Sequence, residues 1–106
     1  MSFQFINPDE LNTRIENQDP VVIVDIRDPN SFAMGRITSA QALNNDNVQQ
    51  FIENTDKSLP VIVCCYHGNS SQGAAQVLFD QGFTDVYSLN GGYEMWKNSY
   101  PALCES

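Results

Sequence analysis

Apolar positions along the chain come in short β-branched runs, separated by stretches of mixed polarity with helical spacing. Phe3 to Ile6 is a short apolar strand. Asn7-Pro8-Asp9-Glu10 then combines an N-cap, a proline at the first helical position and a glutamate placed for a capping box. This predicts a helix from about Pro8 to Asn17, with Leu11 and Ile15 on one face. After Asp19-Pro20, Val21 to Ile26 is continuously apolar up to its end, as expected of a strand buried on both faces. Asp28-Pro29 is again a cap followed by proline, and opens a short helix ending at Gly35. A weak strand falls between Ile37 and Leu43, strongest over Ala40 to Leu43. Caps at Asn44 to Asp46 lead a helix to about Asn54 that turns Val48, Phe51 and Ile52 inward. Val61 to Cys65 is a strand, followed by a helix from Ser71 to Gln81 burying Ala74, Ala75, Leu78 and Phe79. Asp85 to Leu89 is the last strand. Gly91-Gly92 turns the chain into a final helix, Tyr93 to Ser99, that presents Trp96, and Pro101 onward reads as a tail. Strand–helix alternation without repeats or linkers predicts a single three-layer α/β domain over residues 1–106, with a central, mostly parallel five-stranded sheet flanked by helices.

At 106 residues the chain is long enough to bury a core without disulfides or metals. Its net charge of −8 leaves no basic patch for a nucleic acid. Arg14, Arg27, Arg36, Lys57 and Lys97 are the only fixed cations, so a bound anion has to be held by local dipoles and N–H groups. Three cysteines, two of them adjacent, do not form a disulfide framework. No signal-peptide pattern and no membrane-length apolar run is visible, and a soluble, reducing, cytoplasmic setting fits best.

The chemistry concentrates in Val61-Ile62-Val63-Cys64-Cys65-Tyr66-His67-Gly68-Asn69-Ser70-Ser71. An apolar strand ends at Cys65, crosses a short polar loop and enters a helix whose N-terminus points back at the loop. That end carries roughly +0.5 of an elementary charge and unpaired N–H groups. A thiol there loses its proton more readily than its reference value near 8.5 suggests. By position alone Cys65 is as readily a small buried hydrophobe as a nucleophile. Cys64, one residue earlier, points to the opposite face and reads as core. His67 is the sole histidine, which excludes a multi-histidine metal site, and at two residues from Cys65 it is a poor partner for a Cys–His dyad. Neither a metal nor a cofactor is called for.

Three stretches together resemble the rhodanese (thiosulfate sulfurtransferase) family. Asp25-Ile26-Arg27-Asp28 with Phe32 and Gly35-Arg36-Ile37 is similar to its N-terminal signature, departing only at Arg36, where the family usually has histidine. The Cys65 loop is the second stretch, and Asn90-Gly91-Gly92-Tyr93-Glu94-Met95-Trp96 resembles the C-terminal signature. The likeness is strongest to single-domain bacterial sulfurtransferases. It implies a rhodanese-like fold and sulfane-sulfur transfer in two steps. Cys65 takes the outer sulfur of thiosulfate as a persulfide and passes it to cyanide or a thiol, such as a thioredoxin-like protein. Tyr66, His67, Gly68, Asn69, Ser70 and Ser71 then form the substrate-binding loop through amides and hydroxyls. Asp25, Arg27 and Arg36 read as scaffold, Tyr93 and Trp96 as core.

Three rivals stand beside this reading. A cysteine-dependent phosphatase resembles Cys-x5-Arg, but position 71 is serine, which removes the cation that phosphoryl transfer leans on. Mercaptopyruvate sulfurtransfer goes with small residues where Tyr66 and His67 stand. A non-catalytic module that binds a partner protein shares the fold but has no need of Cys65.

Overall fold

The computed structural model describes residues 2–106. Seven strands and five helices follow one another as β1 (Gln4–Ile6), α1 (Pro8–Glu16), β2 (Val22–Asp25), α2 (Pro29–Met34), β3 (Arg36–Ile37), β4 (Gln41–Ala42), α3 (Val48–Asn54), β5 (Val61–Cys64), α4 (Ser70–Asp80), β6 (Val86–Leu89), α5 (Gly92–Ser99) and β7 (Cys104–Glu105). The main sheet has five strands in the order β1-β6-β5-β2-β4, every pairing parallel. The expected α/β architecture is the observed one.

Strand alternation sorts the core into two layers. Ile62 and Cys64 of β5 and Tyr87 and Leu89 of β6 pack with Leu11 of α1 and with Tyr93 and Trp96 of α5. Val61, Val63 and Val86 face the other way, onto Phe51 and Ile52 of α3 and Ala75 and Leu78 of α4. Each fully buried Ile, Leu or Val stabilises the fold by about 1.5–3 kcal/mol. The helix starts follow their caps. The Asn7 N–H donates to Glu10 at 3.0 Å, and the Asp28 carboxylate accepts the Ser31 N–H at 3.1 Å.

The C-terminal stretch departs from expectation. Residues from Pro101 were expected as a tail; instead Pro101–Leu103 forms a 3₁₀ turn and Cys104–Glu105 pairs antiparallel with Arg36–Ile37. Thr38 N–H donates to Leu103 O at 2.9 Å, and Cys104 packs half-buried against the α1–α5 layer. The reason is Ile37, fully buried, which this turn and strand help to cover. Arg36 is a scaffold residue. Its guanidinium stacks over Phe32 at 4.8 Å, bonds Phe32 O at 3.2 Å and meets Glu105 at 3.5 Å.

Candidate functional site

Parallel sheets place ligands at the carboxyl edge of their strands, and β5, central in this sheet, ends there at Cys64. Cys65 follows with its side chain toward the first turn of α4. Two backbone donors converge on its sulfur, Gly68 N–H at 3.1 Å and Ser71 N–H at 3.3 Å, and the thiol S–H donates to the Ser71 hydroxyl at 3.3 Å, a group that can donate in turn to the thiolate. Burial, at 4% exposure, pushes this thiol up. The Ser71 hydroxyl, the Ser71 and Gly68 amides and the His67 backbone together outweigh it, so Cys65 sits below the ordinary thiol value. Cys64 shows the opposite balance. Burial pushes it well above that value and the Asp25 carboxylate pushes it further, so it stays a neutral core thiol.

The loop turns its amides inward because its carbonyls are engaged elsewhere. Cys65 O accepts from Tyr93 N–H at 2.8 Å and Tyr66 O from Glu94 N–H at 3.1 Å, both at the start of α5. The Gln72 side chain holds Gly68 O at 2.9 Å, and the Gln72 N–H holds Asn69 O at 3.2 Å. Successive N–H groups facing one point make an anion-binding nest. Gly68 is needed for it: φ is +91°, and a Cβ would lie 3.0 Å from Gly91 N and 3.1 Å from Leu89 O.

The expected loop residues divide into two groups. Gly68 and Ser71 are buried against Cys65, whereas His67, Asn69 and Ser70 form an exposed rim. The Tyr66 side chain goes elsewhere. Its hydroxyl bonds Asp28 and Ser31 at the start of α2, and its carbonyl is held by α5. That hydroxyl, with the Ser31 side chain and N–H, holds the Asp28 carboxyl down to about 2.

Arg27 is a buried strut. Its guanidinium grips Asp25 through Nε at 3.0 Å and Nη2 at 2.8 Å, bonds Gly35 O at 2.6 Å and lies 4.1 Å over the Tyr93 ring. Its Nε and Nη2 are committed to Asp25 and Gly35 O, not to the Cys65 sulfur. Ser88 on β6 has no place in the sequence reading of the site. It is fully buried, and its hydroxyl lies 2.7 Å from that of Ser71. The signal was present, as the lone small polar residue in Val86-Tyr87-Ser88-Leu89.

Comparison with known proteins identifies the family. Residues 7–99 match the model of the rhodanese-like domain. The thiosulfate sulfurtransferase GlpE of Pseudomonas putida F1 is 52% identical over 95 residues, covering 90% of this chain and 86% of the relative. The protein of the same name from Pseudomonas aeruginosa PAO1 is 50% identical over 101 residues, covering 95% and 90%. Among solved structures, the rhodanese-like domain of an Anabaena protein superposes with a TM-score of 0.85 at 28% identity, covering all of this chain and 80% of that one. A Staphylococcus aureus rhodanese-like domain protein gives 0.79 at 28% identity, covering 89% and 91%. With the family model spanning all but the ends, and relatives half identical along nearly their whole length, the chain belongs to the rhodanese-like family.

Proposed function

We propose that this chain is a thiosulfate sulfurtransferase in which Cys65 carries the transferred sulfur as a persulfide. The observation that carries the reading is the convergence of two backbone N–H donors and the Ser71 hydroxyl on the Cys65 sulfur at the mouth of α4. The relatives' activity supplies the donor's identity. The thiolate attacks the outer sulfur of thiosulfate. A bond forms from Cys65 Sγ to that sulfur, the S–S bond of thiosulfate breaks, and sulfite leaves with the electron pair. Cyanide or an acceptor thiolate then attacks the outer sulfur of the persulfide, and Cys65 departs as thiolate.

Charge moves one atom outward in the persulfide. Gly68 and Ser71 hold the inner sulfur, while the outer one lies toward the rim of His67, Asn69 and Ser70, where the first amides of α4 lack helical acceptors. With no lysine or arginine in the nest, thiosulfate binds weakly, and a submicromolar dissociation constant would contradict this pocket. A small dithiol protein of the thioredoxin type fits the acceptor role. A reducing, cytoplasmic setting suits a chain that carries three free cysteines.

The test is thiocyanate formation from thiosulfate and cyanide, with Cys65→Ser and Cys64→Ser alongside. Loss confined to Cys65→Ser, with one sulfur added to Cys65 by mass spectrometry after thiosulfate alone, supports the reading. An intact, inactive protein that takes up no sulfur is instead a binding module.

A further inference from the structure

Ser88 stands out as a fully buried hydroxyl on a strand that is otherwise apolar or aromatic. The register of β5 and β6 sets it beside Val63, on the sheet face that α4 covers. Among the described residues, its one side-chain partner is the Ser71 hydroxyl at 2.7 Å, and that hydroxyl lies 3.3 Å from Cys65 Sγ. Sulfur, Ser71 and Ser88 thus form a chain of three groups: Cys65 directly after β5, Ser71 on α4 and Ser88 on β6.

We propose that Ser88 is a positioning residue for the Cys65 thiolate, holding the Ser71 hydroxyl in the orientation that donates to sulfur. Each hydroxyl has a single proton to donate. A thiolate has none, so Ser71 must donate to Sγ. With its proton committed there, Ser71 Oγ can only accept, and Ser88 must be the donor. Ionisation therefore fixes one direction, Ser88 to Ser71 to Cys65. In the thiol form the chain runs the other way, from S–H to Ser71 and from Ser71 to Ser88. Two hydroxyl protons rotate, no heavy atom moves, and both states are satisfied.

Such a chain strengthens its terminal bond, because each donor polarises the next. It also restrains Ser71. A serine in the first turn of a helix readily turns its hydroxyl to a nearby backbone carbonyl, and Ser88 competes against that rotamer. The surrounding charges do not take over this function. His67 is exposed in the loop, and Asp25, the last residue of β2, is paired with Arg27 on the Cys64 side. Tyr93 and Glu94 of α5 meet the loop through their N–H groups, and the first turn of α4 carries no charge.

The proposal rests on Cys65 as the reactive sulfur, but its test uses no sulfur donor and so stands apart from the thiocyanate assay. The alkylation rate of Cys65 by iodoacetamide, read by mass spectrometry across pH, reports the thiolate fraction. Ser88→Ala is expected to raise the midpoint by a few tenths of a pH unit. Ser88→Thr, which keeps the hydroxyl, is expected to restore it. In a Ser71→Ala background, Ser88→Ala is expected to add nothing. If Ser88→Ala fails to fold, Ser88→Thr against Ser88→Val repeats the comparison with two residues that strands favour. An unchanged midpoint in a folded hydroxyl-free variant, or additive effects of Ser71→Ala and Ser88→Ala, overturns the proposal.

Discussion

A Cβ placed on Gly92 would lie 2.5 Å from the carbonyl oxygen of Cys65. The first residue of α5 is therefore pressed against the backbone of the reactive loop, and φ of +58° reserves the position for glycine. This contact lets the Tyr93 and Glu94 amides reach the loop carbonyls. Gly92→Ala is expected to cost about 2–5 kcal/mol, from left-handed strain plus overpacking against backbone. Chemical denaturation measures the loss, and Cys65 alkylation at neutral pH should slow because the amides are no longer aimed.

Ionisation of Cys65 couples to stability. Its folded value lies below that of the unfolded thiol, so the contribution is fully present above about 8.5 and fades as pH falls through the folded value. The stability difference between the unmodified protein and Cys65→Ala should widen as pH rises across that window. Ser71→Ala, which removes the hydroxyl and both of its hydrogen bonds but keeps the amides, should narrow it.

Asp25 is fully buried and Arg27 is its bidentate partner. Arg27→Met leaves a carboxylate uncompensated inside the protein, at an expected cost of about 3–5 kcal/mol. Arg27→Lys keeps the charge but loses the fork that also holds Gly35 O, and should recover only part of the denaturation midpoint.

Sequence pattern made the central strands legible because each is apolar on both faces, and it made Cys65 legible because the apolar run stops there. Strands β3 and β7 have two residues each, too few for alternation to register, and their pairing joins positions far apart in the chain. Ile37 gave no sign of what would cover it. The inward amides of the loop were also hidden, since they depend on backbone donors of α5 that no side chain advertises. The hydroxyl partners of Tyr66 were hidden as well, since Asp28 caps α2 and Ser31 lies on it, far from the loop in sequence.

Asp28 offers a direct check on that clamp. Its carboxyl should titrate near 2 by side-chain NMR, and Tyr66→Phe should move it up toward 3.8. The sign follows: stabilisation from this group is present above the unfolded carboxylate value and is lost as pH falls through about 2.

Removal of Cys104, Glu105 and Ser106 should lower the melting temperature, because β7 pairs with β3 beside the buried Ile37. Glu105→Gln, which removes a solvent-facing ion pair with Arg36 and leaves an amide oxygen to accept the Ser39 N–H, should change stability by no more than about 1 kcal/mol.

The parallel sheet has one consequence in time. The Cys65 nest is assembled from β5 and α4 but braced by Ser88, Gly92, Tyr93 and Glu94, which emerge later in synthesis. Until those residues arrive, the thiol has a solvated backbone around it and an ordinary affinity for its proton. The lowered proton affinity of Cys65 is thus acquired with chain closure, and the growing polypeptide carries an ordinary thiol at this position.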